Sequence, residues 1–217
     1  MKLIVTRPYY DIATKYISSW AEEVIFLAQT KKIDVIDLEK GKANRKDFES
    51  RVNKLQPRII FLNGHGGDDC VFGQDEEVLV KAGVNHDILQ GRITYSVSCS
   101  SGKELGFEVA KDGKSTFIGY EKEFILIGNL RHKGKLNNDA SAKPFMESSN
   151  LVMISLLKGN TAKESSDRSK AKFEEHLAKL SSSQADFDTL RAMQALRWNA
   201  RHQVCLGNQN ASLENNN

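Results

Sequence analysis

Two short stretches of this 217-residue chain carry residue types that can do chemistry. Asn63-Gly64-His65-Gly66-Gly67 follows one apolar run and Ser98-Cys99-Ser100-Ser101-Gly102 follows another, with Cys99 lying 34 positions after His65. A cysteine attacks only as its thiolate, and a neighbouring imidazole can take the thiol proton. The pair therefore reads as a dyad, with His65 as general base and acid and Cys99 as nucleophile. Glycines beside His65 would let a bare backbone N–H approach a substrate carbonyl, and the N–H of Cys99 would be a second donor to an oxyanion. A helix placed just after Cys99 would add amides that favour the thiolate. Against this stands the plain reading, in which each residue simply packs at a strand end. Two such residues, each wrapped in small neighbours and each ending an apolar run, favour the chemical reading.

Positioning the dyad requires two adjacent strands that end at one rim. Arg58-Ile59-Ile60-Phe61-Leu62 and Ile93-Thr94-Tyr95-Ser96-Val97-Ser98 have the composition of strands buried on both faces. Residues 2–6, 34–38 and 115–119 read as further strands, and Phe124-Ile125-Leu126-Ile127 as a sixth. Pro8 and Asp11 open a helical pattern in which Ile12, Tyr16, Trp20 and Val24 recur at helical spacing. Asn44 with Asp47 opens a second helix that Pro57 stops, and Leu105 and Val109 mark a short third. Cys70-Val71-Phe72 and Glu77-Val78-Leu79-Val80 flank Gly73-Gln74-Asp75 as a hairpin inserted after the third strand. Beyond Pro144 the pattern is helical, with a Thr161–Glu164 capping box, and the last stripe runs Leu190, Met193, Leu196, Ala200 and Val204. Strands alternating with helices imply an α/β fold around a mainly parallel sheet of about six strands, with C-terminal helices covering it. Ligands of open parallel sheets bind outside the carboxyl ends of the strands, where both motifs fall. Residues 128–143 read as a long exposed loop, 1–212 as one domain, and 213–217 as a disordered tail.

Composition narrows the function. Lys plus Arg number 31 and Asp plus Glu 28, a net charge of +3 that does not point to nucleic acid. No apolar run reaches the roughly 18 residues of a membrane span, and the opening residues read as a strand and not a signal peptide. Three widely spaced cysteines argue against a disulfide framework and for a cytoplasmic protein. His202-x-x-Cys205 is the sole short pairing of zinc-ligand types and is too sparse for a site. Asp68 and Asp69 could polarise His65 or bind a cation, though solvated turn residues are the simpler reading. His86, His132 and His176 read as surface residues, and Cys70 and Cys205 as packing residues.

The order apolar strand, His-Gly, 34 positions, apolar strand, Cys-x-Ser-Gly resembles the caspase-fold cysteine peptidases, and most closely their CHAT-type bacterial members. The resemblance is carried by residues 57–120, with weaker likeness at Ser155-Leu156-Leu157-Lys158-Gly159-Asn160 and Leu206-Gly207-Asn208. It implies a caspase-like α/β sheet and a cysteine endopeptidase. His65 and Cys99 would form the dyad, and Gly66 N–H with Cys99 N–H the oxyanion hole. It implies a protein or peptide substrate, one dedicated partner, a possible activating partner, a role in bacterial defence, and no metal or organic cofactor. Basic-specific relatives often place an acidic residue two positions before the nucleophile. Val97 stands there with Ser98 beside it, so an uncharged apolar P1 residue is expected, bordered by Val97, Ser98 and Asp68. Loops near residues 128–143 often border the cleft in this family, and trypsin is expected to cut first at Arg131, Lys133 or Lys135.

Three other classes fit less well. A non-catalytic caspase-fold scaffold would keep the sheet with a misaligned dyad, yet neither motif is degraded. A class I amidotransferase needs Gly where Val97 stands and places its His after its Cys. A nucleotide-binding module lacks its glycine-rich loop, since Arg7-Pro8-Tyr9-Tyr10 follows the first strand.

Overall fold

The computed structural model describes residues 1–129, 135–181 and 186–214. In chain order the elements are β1 (Lys2–Arg7), α1 (Ile12–Thr30), β2 (Asp34–Glu39), α2 (Arg45–Leu55), β3 (Ile59–Asn63), β4 (Cys70–Phe72), β5 (Val78–Lys81), β6 (Ile93–Val97), α3 (Leu105–Ala110), β7 (Thr116–Tyr120), α4 (Lys143–Leu157), α5 (Ala162–Ser181), α6 (Phe187–His202) and β8 (Gln203–Gly207). Six strands form one sheet in the order β2-β1-β3-β6-β7-β8. All pairings are parallel except β7 with β8, and β4 and β5 form an antiparallel hairpin after the third strand. The fold is α/β, as expected.

Strand pleating explains why the central strands are apolar on both sides. Leu3, Val5, Ile59, Phe61, Tyr95, Val97, Ile118 and Tyr120 face a core shared with α1, α4, α5 and α6. The alternate positions Ile4, Ile60, Leu62 and Phe117 face a second core with Phe48 and Val52 of α2, Leu105 and Val109 of α3, and Val71, Leu79 and Val80 of the hairpin. Caps fall where the sequence places them. Asn44 Oδ1 accepts from Asp47 N–H at 2.8 Å, and Thr161 and Glu164 exchange the reciprocal bonds of a capping box. No helix among the described residues is long and apolar enough to cross a membrane.

The sixth strand is not the expected one. Phe124–Ile127 pairs with no strand, and the antiparallel neighbour of β7 is β8, whose Val204 the helical stripe had claimed. The helix stops because Gln203 is held sideways by the sheet and α5. Its Nε2 donates to Ser169 Oγ at 2.9 Å, and its Oε1 accepts from Ser166 Oγ at 3.0 Å. Gln203 takes φ −73° and ψ 131°, so the chain turns from helix to strand without a loop.

Residues 128–143, expected as an exposed loop, are exposed at Asn129, Lys135, Asn138, Ala140, Ser141 and Lys143 but anchored at the buried Asp139 and Ala142. Asn129 and the stretch from Lys135 onward fold against α1, while 130–134, with the expected trypsin sites Arg131 and Lys133, lie outside the described residues. Asp139 is 2% exposed and accepts from the Tyr16 hydroxyl at 2.5 Å, Asn129 N–H at 2.6 Å and Ser141 N–H at 2.9 Å. Trp20 Nε1 donates to the Leu136 carbonyl at 3.1 Å. Burial and the Asp139 carboxylate push the Tyr16 hydroxyl up to about 12. Of the tail expected at 213–217, Leu213 packs on the main core, and 215–217 lie outside the described residues.

Asp139→Ala removes the acceptor shared by the Tyr16 hydroxyl, Asn129 N–H and Ser141 N–H, and the Tyr16 hydroxyl keeps the Asn129 carbonyl at 3.2 Å, so it should cost about 1 kcal/mol in chemical denaturation and speed tryptic cleavage at Lys135. An unchanged midpoint would show that the Asp139 contacts do not fasten this segment to α1.

Candidate active site

β3 and β6 are parallel neighbours in a register that pairs Asn63 with Val97. His65 and Cys99 therefore each lie two residues past one matched pair, at the same rim of the sheet. The ladder runs one step further, with Gly64 N–H donating to the Val97 carbonyl at 3.3 Å. Gly64 adopts φ +148°, and a Cβ there would lie 2.5 Å from the Phe72 carbonyl oxygen. A Cβ on Gly66 would lie 2.5 Å from the Cys99 carbonyl oxygen and 2.9 Å from Ser98 Cβ. Both glycines flanking His65 are thus required by close approach.

The hairpin aims this loop. Phe72 N–H donates to the His65 carbonyl at 2.9 Å, and Gly67 N–H to the Cys70 carbonyl at 3.0 Å. Gly66 and Val71 form the bridge between those bonds, a non-hydrogen-bonded antiparallel pair. The Gly66 N–H consequently points away from the hairpin. Among the described residues, neither it nor the Cys99 N–H donates a hydrogen bond. These two amides are the expected oxyanion donors, and both are available.

On the Cys99 side, Ser96, Ser98 and Ser101 link their hydroxyls in a buried chain at 2.7 Å per step. Ser100 takes φ +56°, its N–H donates to the Lys122 carbonyl at 2.9 Å, and Gly102 N–H donates to the Tyr120 carbonyl at 2.9 Å. This fixes the turn to the end of β7.

A third residue completes the cluster. His65 Nε2 lies 2.6 Å from Asp11 Oδ2, while Asp11 Oδ1 accepts from Thr14 N–H at 2.8 Å as the N-cap of α1. A carboxylate accepts, so Nε2 carries the proton and Nδ1 is the acceptor nitrogen of the ring. Burial opposes ionisation of Asp11, but the Thr14 N–H, the His65 ring and the Thr14 hydroxyl outweigh it and hold the carboxyl below its ordinary range. The Tyr10 ring is tilted against the imidazole at 6.1 Å. Asp11 reads in the sequence as a helix opener. The missed signal is its place just past the carboxyl end of β1, on the same rim.

The thiol differs from expectation. Burial pushes the Cys99 thiol up, the Phe124 N–H offsets part of this, and the Glu123 carboxylate pushes it further. Helix α3 starts at Leu105, so its amides do not reach Cys99 as the sequence suggested. No hydrogen bond joins Cys99 to His65 among the described residues. Catalytic hydrogen bonds are often long before substrate binds.

The expected substrate contacts are redistributed. Val97 is 0% exposed in the main core and Ser98 is 2% exposed within the serine chain, so neither lines an open pocket. Asp68 pairs with Lys103 through its carboxylate, and its carbonyl accepts from Glu104 N–H and Leu105 N–H. Asp69 pairs with Lys81 at 3.0 Å, so neither aspartate polarises His65. What borders Cys99 is the unpaired segment after β7. Asn199 clamps it, accepting from Ile125 N–H at 2.9 Å and donating to the Ile125 carbonyl at 2.8 Å. Elsewhere, His202 pairs with Glu121 at 3.1 Å instead of with Cys205, and the His176 side chain is mostly buried beside Glu147. His132 lies outside the described residues. Among the described residues no group of three or more His, Cys, Asp or Glu could hold a metal ion.

Comparison with models of known protein families finds no match, and a search of curated proteins finds none either.

Burial, with Asp69 beside Cys70, pushes Cys70 up to about 11, and burial pushes Cys205 up to about 11. A raised thiol releases its proton only as pH climbs. Iodoacetamide should therefore label Cys99 slowly at neutral pH, faster as pH rises past the ordinary thiol range of about 8.5, and before the other two cysteines. Glu123→Gln should accelerate Cys99 labelling at fixed pH. Equal rates at all three cysteines, or a Cys99 rate already at its plateau at pH 7, would contradict this electrostatic picture.

Proposed function

We propose that this protein is a cysteine endopeptidase in which His65 and Cys99 form the dyad and Asp11 holds the His65 ring. The observation that carries the reading is the β3–β6 register, which sets both residues equally far beyond one strand pair, with Asp11 on Nε2 of the imidazole. The likeness of the two motifs to CHAT-type caspase-fold peptidases and the mainly parallel six-stranded sheet support it.

In the reaction, Cys99 Sγ attacks the scissile carbonyl carbon as His65 Nδ1 takes the thiol proton. The carbonyl oxygen becomes an oxyanion facing the Gly66 and Cys99 amides. His65 passes the proton to the leaving amine, the C–N bond breaks, and a thioester remains on Cys99. Water then attacks the thioester while Nδ1 accepts its proton. The carboxylic acid departs, and the proton returns to the thiol. Asp11 stabilises the imidazolium in both halves and fixes the tautomer. No cofactor enters these steps.

The substrate is a protein or peptide lying extended along the rim. The segment after β7 reaches Cys99 through the Phe124 N–H and carries the exposed Ile125 one residue on, which supports an apolar, uncharged P1 residue in place of the Val97 floor first expected. One dedicated partner, an activating protein and a role in bacterial defence inside the cytoplasm are the biological setting we propose, on the motif likeness alone. The second reading is a non-catalytic scaffold, favoured by one observation, the raised Cys99 thiol.

A P1-varied peptide library separates the readings. Cys99→Ala and His65→Ala should each reduce cleavage to below about 1% of wild type with the melting temperature nearly unchanged. Leu or Met at P1 should be cleaved faster than Arg, Lys or Asp. Wild-type protein that cleaves nothing, with or without an activator, supports the scaffold, and a variant keeping most activity removes its residue from the dyad.

Asp11→Asn keeps a good N-cap and removes the charge. It should lower kcat about 10²-fold with KM little changed and the helix intact by circular dichroism. A change confined to KM would show that Asp11 acts on binding and not through His65.

A further inference from the structure

The opposite end of the sheet carries a different chemistry. Ile93 N–H donates to the Arg58 carbonyl and Thr116 N–H to the Arg92 carbonyl, both at 3.0 Å, where β3, β6 and β7 begin. This register sets Arg58 and Arg92 side by side, with Lys114 two residues before β7. The three cations border a cavity of about 630 Å³ whose lining includes Gln56, Gln90 and Asn208 and, among the described residues, no Asp or Glu, and Arg58 Nη2 donates to the Ser212 carbonyl at 2.7 Å.

Arg92 is the informative residue. Its Nη1 donates to the Gln90 carbonyl at 2.7 Å and its Nη2 to Gln56 Oε1 at 2.6 Å, both uncharged acceptors. Its Nε is buried and has no hydrogen-bond partner. Arg92 forms no ion pair among the described residues, and burial pushes its pKa down with no neighbouring charge to raise it. The carboxylates in its surroundings are otherwise committed or set apart. Asp112 turns back onto Lys114 N–H, Ser115 N–H and the Ser115 hydroxyl, and Glu49 pairs with Arg45. Asp87 lies with Glu49 and Arg92 around a separate cavity of about 290 Å³. Lys114 is exposed and forms no ion pair among the described residues. A partly desolvated guanidinium without a counter-ion is costly, and an anion in the larger cavity would offset that cost.

We propose that this cavity binds a small phosphorylated anion of mononucleotide size, with Arg92 and Lys114 facing the phosphates and the Gln and Asn residues of the lining facing the remainder. Guanidinium forks suit phosphate oxygens, and the cavity volume falls within the range of small-molecule sites. The five-residue strands alone span about 16 Å, with Arg92 just before β6 and Cys99 two residues past its other end, so the ligand is not the peptidase substrate and the site does not depend on the dyad.

Calorimetry and thermal shift on the full chain at constant ionic strength test this with inorganic phosphate, pyrophosphate, ADP and citrate. ADP should bind one to one, at least tenfold tighter than citrate or phosphate. Arg92→Gln and Lys114→Ala should each weaken ADP at least tenfold, while Cys99→Ala and His65→Ala bind as wild type does. Lys114→Ala removes only an exposed side chain and so keeps the test valid should Arg92→Gln fold poorly. Failure of all four anions to bind below millimolar concentration, or equal ADP affinity in wild type and Lys114→Ala, would overturn the proposal. Pyrophosphate binding as tightly as ADP would overturn its mononucleotide size.

Discussion

The site depends on how closely the backbone after β3 approaches the backbone after β6. Gly66 stands so near the Cys99 carbonyl that no side chain fits between them. That approach exists because two fully buried strands pair in parallel without a register slip, and because the β4–β5 hairpin holds the other edge of the loop through the His65 carbonyl. A one-residue slip would turn Phe61 and Tyr95 away from the main core, so apolar packing enforces the alignment of His65 with Cys99. Burial and site geometry are in this respect one constraint.

Much of this is legible in the sequence where hydrophobic period and turn chemistry agree. The strands ending at His65 and Cys99, the hairpin, and the Asn44 and Thr161 caps all announce themselves locally. The expected edge strand fails for a physical reason. Four apolar residues in a row at Phe124–Ile127 look like a strand, but β8 already occupies the free edge of β7, and Asn199 takes the Ile125 backbone instead. β8 was hidden because Val204 continues the helical spacing of Leu196 and Ala200, while its strand conformation is set by Gln203 contacts to α5, far away in sequence. The same limit hid the role of Val97. Its position two before the nucleophile suggested a pocket floor, yet pleating sends it into the core.

Asp11 joins two levels of the structure. One carboxylate oxygen caps the 19-residue helix α1 and the other meets His65. Because α1 packs through Tyr16, Ile17 and Trp20 onto the sheet face that bears Phe61 and Val97, its first residue is fixed relative to the rim. The imidazole is thereby tied to the main core through a cap, with no dedicated loop. From sequence only the capping role is visible, since 54 residues separate Asp11 from His65.

The raised Cys99 thiol is compatible with a dyad once the cost of a resting ion pair is considered. A thiolate–imidazolium pair held permanently in a half-buried site would suffer desolvation of both charges. Burial and Glu123 both disfavour the thiolate here, and the Phe124 amide only moderates them. A thiol held in its neutral form avoids that cost and slows oxidation, which requires thiolate character. In the proposed reaction charge would form only during attack, when negative charge would pass from sulfur to the carbonyl oxygen facing the Gly66 and Cys99 amides. The positive charge would then reside on His65, against Asp11. Each charge created in the proposed step would have a partner in the fold, and the proposal does not need a resting thiolate.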